Sequence, residues 1–354
     1  MSGVLSGAQS LSSTQLAAVA ETMAAAGAPP AGPLEATLIA GGRSNLTFRL
    51  DDGATSWVLR TPPRAGRTPS AHDVAREFRV TRALAATEVP VPPAVLLCED
   101  ESVLGGPFAV AEFVAGRAVQ SRTDLDDLDD AALQTVTARL LRVLASLHAV
   151  DHVAVGLERF GRPDAYAARQ LKRWSGQWDI VAPEDAPGAD AVRRDGARLA
   201  RELGERNPAQ RSTGIVHGDF RIDNTLLLLD EGEPRVAAVV DWELCTIGDP
   251  VADVAMMCAY RDPAFDLIVG APSAWTSPRL PDLSGLAAGY ESAGGVPLVD
   301  WEFHLALACF KVGVIAAGID HRHRAGAGSG AGFDTAGESV AAYFSRGLSA
   351  LAGR

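Results

Sequence analysis

The sequence predicts an α+β chain in two lobes, a small one built on an antiparallel sheet and a larger, mostly helical one. Three observations carry this. Alternating apolar residues and turn signals fill the chain up to about residue 115. From Asp129 onward the apolar spacing becomes helical. Inside the helical part, residues 213–243 form a short strand-rich island. With 354 residues, 47% of them apolar, the chain can bury a core in each lobe.

The elements follow in order. "LSSTQLAAVAETMAAA" (11–26) reads as a helix with a Ser/Thr start that stops near Gly27. "ATLIAGGRSNLTFRLDDGATSWVLR" holds an apolar run, a Gly41-Gly42 turn, the alternation Leu46-Phe48-Leu50, an Asp-Asp-Gly turn and a last strand, which together predict a meander. Residues 70–86 read as a helix with Val74, Phe78 and Leu84 on one side. "VPVPPAVLLCED" and "FAVAEFVAG" add two strands around a "SVLGGP" turn. Then come "DDAALQTVTARLLRVLASLHAV", a long amphipathic helix, and helical stretches at 163–178 and 188–206. After the island, "DPVADVAMMCAY", "LSGLAAGYESA", "WEFHLALACFKVGVIAAGI" and "SVAAYFSRGLSALAG" are helical, and 321–332 reads as a mobile Gly/Ala-rich loop. The expected division is an N-terminal lobe at 1–113, a hinge at 114–117 and a C-terminal lobe at 118–354.

Composition excludes several functions. The net charge of -12 argues against nucleic acid and anionic membrane as general partners. Cys98, Cys245, Cys258 and Cys309 are far apart, without the spacing of a zinc site or a disulfide framework. The first residues lack the basic and apolar regions of a secretory signal, so a cytoplasmic location is expected. The longest apolar stretch is interrupted by Lys311 and barely reaches spanning length, which predicts a buried helix and no membrane span. Oligomeric state is not encoded in any of these features.

The chemistry concentrates in "IVHGDFRIDN" and "AVVDWE". Both end an apolar run in an acid, Asp219 or Asp241, and Asn224 lies five positions past the first. Turn chemistry alone puts Asp and Asn in such places. A hairpin between the two motifs would instead bring them to one point, with oxygen ligands that suit Mg²⁺ and phosphate. "HGDFRIDN" followed by "VVDWE" resembles the catalytic region of the aminoglycoside phosphotransferase and choline kinase-like family, whose fold is the bilobal protein-kinase-like one. The resemblance covers nearly the whole chain. It implies ATP- and Mg²⁺-dependent phosphorylation of a small-molecule hydroxyl, with Asp219 as base and Asn224 and Asp241 as metal ligands. His217 would shape the loop or simply pack. Asp249-Pro250 reads as a helix start. Asp253, one turn in, is either an exposed carboxylate or, as the family implies, a support hydrogen-bonded to the catalytic loop.

On the nucleotide side, Gly41, Gly42, Ser44 and Asn45 form a turn that can offer backbone N–H groups to phosphate. The family's phosphate-binding lysine has no counterpart, because the only lysines are Lys172 and Lys311. Arg60 stands in the corresponding strand, and "VLRTPP" resembles small-molecule kinases that use arginine there. Glu77 is its expected partner, or else a surface residue. Glu112 to Val114 would present backbone to adenine. The missing lysine also leaves open a nucleotide-binding shell without catalysis. For the acceptor, "RQLKRWSGQW" places Arg169 and Arg173 beside Trp174 and Trp178, which suits an anionic, partly apolar molecule or merely a solvated face over a core. The stretch resembles phosphotransferases related to those fused to acyl-CoA dehydrogenases, which implies a hydroxyacyl-CoA or similar acceptor. An aminoglycoside or other antibiotic is the alternative acceptor.

Overall fold

The computed structural model describes residues 10–40, 45–62, 73–183, 188–229, 232–328 and 330–353. The chain divides into two units: Met1–Gly116 with Ala237–Cys245, and Arg117–Val236 with Thr246–Arg354.

The first unit contains helix α1 (Ser13–Ala25), strands β1 (Glu35–Ala40), β2 (Leu46–Asp51) and β3 (Ser56–Thr61), helix α2 (Val74–Leu84), strand β4 (Ala94–Cys98), the short helix α3 (Glu101–Leu104) and strand β5 (Phe108–Glu112). Its sheet has the order β1-β2-β3-β5-β4 and every pairing is antiparallel. Helix α1 starts on a capping box in which Ser12 and Gln15 exchange side-chain bonds to each other's N–H. Val19 and Met23 pack with Phe48, Leu50, Leu59, Phe108 and Val110 in the core cluster. On α2 the buried stripe is Val74, Glu77, Val80 and Leu84, and Phe78 is only half-buried. The helix thus turns a carboxylate, not the expected phenyl ring, toward the interior.

Ala237–Cys245 joins this unit, although the sequence places it within 118–354. The reason is polar backbone pairing at long sequence range. Val239 N–H donates to the Pro90 carbonyl (2.8 Å), and Arg76 donates to the Cys245 carbonyl through Nε (3.0 Å) and Nη2 (2.9 Å). Local sequence patterns cannot show those partners.

The second unit contains β6 (Arg117–Ala118), α4 (Asp130–Ala149), α5 (Tyr166–Val181), α6 (Ala189–Arg206), β7 (Gly214–Val216) and β8 (Thr225–Leu228). Strand β9 (Arg235–Val239) leads out of it, and β10 (Thr246–Gly248), α7 (Pro250–Ala259), α8 (Phe265–Val269), α9 (Leu283–Ser292), α10 (Trp301–Arg324) and α11 (Val340–Leu351) complete it. The strands form a β6-β8-β9 sheet and an antiparallel β7-β10 pair that sets Val216 opposite Thr246. Asp249 caps α7 by accepting the Val251 N–H, with Pro250 in the first turn. Helix α10 is long and apolar enough to cross a membrane, but 78% of its apolar window is buried inside the fold. It also runs on through Arg324, where Arg324 pairs with Asp320 at 2.9 Å, so "HRHR" is helical rather than the start of a loop.

Gly196 on α6 shows how tightly these helices pack. A Cβ there would stand 2.7 Å from the rings of both Trp178 and Phe344, which meet edge-on at 4.9 Å. Gly196→Ala is therefore expected to destabilise the protein by about 1–3 kcal/mol, read as a lower urea midpoint at unchanged m-value.

Candidate active site

The loop after β7 is fixed from below by one carboxylate. Asp253, on the first turn of α7 and 3% exposed, accepts the N–H of His217 at 2.6 Å and of Gly218 at 2.8 Å. His148 Nε2 approaches the same carboxylate at 3.2 Å, while its Nδ1 meets the Tyr290 hydroxyl at 2.7 Å. Burial opposes the charge of Asp253, but the hydrogen bond from His148, its charge and that of His217, and the Gly218 N–H outweigh it and pull its pKa down. Gly218 sits at φ +84°, a left-handed conformation that favours glycine. His217 is fully buried and edge-on to Phe220, so it packs and shapes the loop at once.

This loop presents Asp219, whose side chain is 18% exposed. The Asn224 amide donates to the Asp219 carboxylate (2.9 Å) and to its backbone carbonyl (2.7 Å), which leaves the Asn224 side-chain oxygen as a ligand atom. Tyr260 is buried close to Asp219, and burial together with that carboxylate pushes its pKa up. Arg221 donates to Asp219 Oδ1 at 2.6 Å and grips Asp223 with two bonds of 2.9 Å. Its guanidinium lies against the rings of Tyr260 and Phe265, 4.7 and 4.9 Å from their centroids, and the two rings touch each other at 4.8 Å. Burial works against the charge of Arg221, yet Asp219 and Asp223 raise its pKa and keep it cationic. Burial pushes the Asp219 carboxyl above the ordinary carboxylate range, against the pull of Arg221. A carboxylate so held can orient a hydroxyl and take its proton.

The first unit gathers a second set of charges. Arg60 Nη1 pairs with Glu77 at 2.9 Å, and its Nη2 lies 3.5 Å from Asp241. Asn45 Nδ2 donates to Glu77 at 2.9 Å, so this residue positions the glutamate. The carboxylates of Glu77, Asp241 and Glu243 lie within 4.8 Å of one another. Burial, the first cause, together with Asp241 and Glu243 pushes Glu77 up to about 7, while Arg60 and Asn45 oppose it. Asp241 occupies a left-handed conformation at φ +64°, strained for a non-glycine residue, and its buried Oδ1 makes no hydrogen bond. Strain, and a carboxylate oxygen met only by the 3.5 Å ion pair to Arg60, in an all-oxygen cluster fit a hard divalent cation such as Mg²⁺.

The sequence profile of the phosphotransferase enzyme family (APH) matches residues 35–294. The chain belongs to that family. It is 34% identical over 304 residues to mouse acyl-CoA dehydrogenase family member 10, with 85% of this chain covered and 28% of the relative. Human acyl-CoA dehydrogenase family member 11 is 34% identical over 288 residues, covering 80% of this chain and 36% of the relative. The chain therefore spans about a third of the length of these relatives. A Ralstonia eutropha crystal structure, given the provisional name aminoglycoside phosphotransferase, superposes with a TM-score of 0.80 at 33% identity, covering 95% of this chain and 98% of that one. Aminoglycoside phosphotransferase APH(4)-Ia, in a ternary complex with AMP-PNP and hygromycin B, has a TM-score of 0.60 at 18% identity over 96% of this chain and 98% of its own. The fold is the protein-kinase-like one.

The remaining expected residues are distributed as follows. Gly41, Gly42 and Ser44 lie outside the described residues. Glu112 ends β5, its N–H bonded to the Pro93 carbonyl, and Val114 follows two residues on. Arg169 is tied to the Arg162 carbonyl and lies over the Tyr166 ring. Trp174 is half-buried, but Trp178 is 5% exposed and belongs to the packing around Phe344. Helical spacing of four puts the two tryptophans on related faces, and only the second is buried. Trp178 is thus core and not acceptor surface. Sequence reasoning missed Arg221, Tyr260 and His148. Arg221 had a signal, a base two residues from an acid on either side; His148 and Tyr260 had none, because their partners are distant in the chain.

Arg221→Met removes the cation that lowers Asp219. If Asp219 must be ionised to act, the acid limb of kcat/KM is expected to move to higher pH. A pH–rate profile that stays put or moves to lower pH contradicts this.

Proposed function

We propose that the protein transfers the γ-phosphoryl group of ATP to a hydroxyl of a small molecule. The observation that carries this is the Asp219–Asn224–Arg221 cluster on a loop anchored by Asp253. The acceptor oxygen forms a bond to phosphorus, the bond from phosphorus to the leaving ADP oxygen breaks, and the acceptor proton passes to Asp219. Asp241 would hold Mg²⁺, with Asn224 proposed as a ligand from the sequence motif alone, and the ion when bound would neutralise charge on the phosphates. Arg60, oriented by Glu77, supplies a fixed cation for phosphate in place of lysine. Arg221 and Asn224 hold the Asp219 carboxylate in one orientation, so positioning rather than covalent chemistry provides the rate.

The acceptor we favour is anionic and partly apolar, such as a hydroxyacyl-CoA. Exposed Arg173 beside Trp174 and the acyl-CoA dehydrogenase names of the relatives support it. An antibiotic is the second reading, favoured by a 27% identical match over 203 residues, 56% of this chain and 65% of the relative, to viomycin phosphotransferase from Streptomyces vinaceus.

With ATP and Mg²⁺, Asp219→Ala is expected to lower turnover by about 10²–10⁴-fold. Hydroxyacyl-CoAs are expected to be phosphorylated and kanamycin-type compounds not. Efficient phosphorylation of an aminoglycoside would overturn the acceptor assignment, and full activity in Asp219→Ala would overturn the reaction.

A further inference from the structure

Within the first unit, helix α2 reaches the stretch 241–245 at both of that stretch's ends. At the Asp241 end it acts through Arg60: Glu77 takes Arg60 Nη1 at 2.9 Å, and Arg60 Nη2 stands 3.5 Å from Asp241. At the other end Arg76, the neighbour of Glu77 on the same helix, gives both Nε and Nη2 to the Cys245 carbonyl, at 3.0 and 2.9 Å. Successive side chains on a helix point about 100° apart, so one turn of α2 can grip a segment from two sides. That turn is itself fixed by Asp73, which caps the helix by accepting the Arg76 N–H at 2.9 Å.

Short-range bonds shape the stretch. The Trp242 indole N–H donates to the Val239 carbonyl at 3.0 Å, and the Cys245 N–H donates to the Trp242 carbonyl at 3.1 Å. The Arg76 fork then ties the shaped turn to the helix that carries Glu77. Asp241 needs such support for two reasons. Its φ of +64° is one that a non-glycine residue keeps only when its surroundings over-determine it. Its carboxylate also lies within 4.8 Å of those of Glu77 and Glu243, and like charges at that distance repel. Strain and repulsion both drive Asp241 away from its place, and a donor that fixes the end of the stretch opposes both. A guanidinium suits the task, because two N–H groups in one plane set the direction of a carbonyl as well as its distance, whereas an ammonium is a compact charge on a flexible stem. Burial works against the charge of Arg76, with Cys245 and Asp73 offsetting part of that cost.

We propose that Arg76 is a positioning residue for the metal-holding stretch: through the Cys245 carbonyl it keeps residues 241–245 on α2, and so keeps Asp241 beside Arg60 and Glu77. The inference rests on the phosphoryl-transfer reading, which gives Asp241 the metal. Arg76 acts through the backbone, and the ligand atom stays on Asp241. Its loss therefore falls on metal affinity and on the order of this one stretch. A merely structural arginine would loosen the sheet of the first unit as well.

Two variants of the full chain separate these roles. Arg76→Met removes the fork and keeps an apolar stem; Arg76→Lys keeps the charge without the planar pair. Mn²⁺ is titrated into each protein in the presence of AMP-PNP, and the free ion is counted from its electron paramagnetic resonance signal. The Kd for Mn²⁺ is expected to rise about tenfold in Arg76→Met and about threefold in Arg76→Lys. In amide hydrogen exchange the Cys245 amide is expected to lose protection in both variants while β2, β3 and β5 keep theirs. If Arg76→Met does not fold, Arg76→Lys carries the same two readouts. An unchanged Kd for Mn²⁺ in either variant, protection lost evenly across the sheet, or a wild type that binds no Mn²⁺ with the nucleotide would overturn the proposal. Weakened Mn²⁺ binding in the variants of a protein that phosphorylates no hydroxyl supports the role of Arg76 and overturns the reaction instead.

Discussion

One buried carboxylate organises the catalytic loop. Asp253 takes the two successive N–H groups that β7 leaves unpaired as the chain turns, and it does so from the first turn of the next long helix. Buried backbone donors without partners cost about 1–3 kcal/mol each, so this contact decides where the loop can go. His148 and Tyr290 extend it into α4 and α9. The loop therefore has little freedom, and Asp219 is presented by a frame rather than by a flexible turn.

The same logic appears in the first unit with different partners. Glu77 is buried, which disfavours its charge, and Arg60 and Asn45 offset that cost while two further carboxylates add to it. Asp241 is strained in its backbone and has a carboxylate oxygen with no hydrogen bond. Features of this kind persist when a site is built for a ligand, because stability alone would remove them. In the second unit, the carboxylates of Asp219 and Asp223 are answered by an arginine that rests against a pair of touching rings. Each unit thus concentrates charge in a partly dry setting, where electrostatic interactions are stronger than in water.

Much of this was legible in the sequence. The meander, the long helices and the buried α10 follow from apolar period and turn residues, which act locally. The pairing of Arg60 with Glu77 was expected from the family resemblance, with a surface Glu77 as the alternative, and the fold pairs them at 2.9 Å. For Asp253 the sequence left an exposed carboxylate and a buried one both open; the fold decides it by burying Val251, Ala252, Val254 and Ala255 around it. What could not be read depends on distance in the chain. Residues 237–245 join the first unit through Pro90 and Arg76, and His148 reaches Asp253 across 105 positions. Trp178 could be read as acceptor surface or as core, because helical spacing gives a face but not which face is covered. Lys311 looked like an interruption in an apolar helix; only the fold shows it beside Trp174.

The Asp253 carboxylate, and not the loop's own sequence, holds His217 and Gly218 in place. Amide hydrogen exchange in wild type and Asp253→Asn tests it most directly. In the wild type the His217 and Gly218 amides are expected to exchange as slowly as those of β7. In the variant both are expected to lose protection while β7 keeps its own. Retained protection at His217 and Gly218 in the variant would contradict the account.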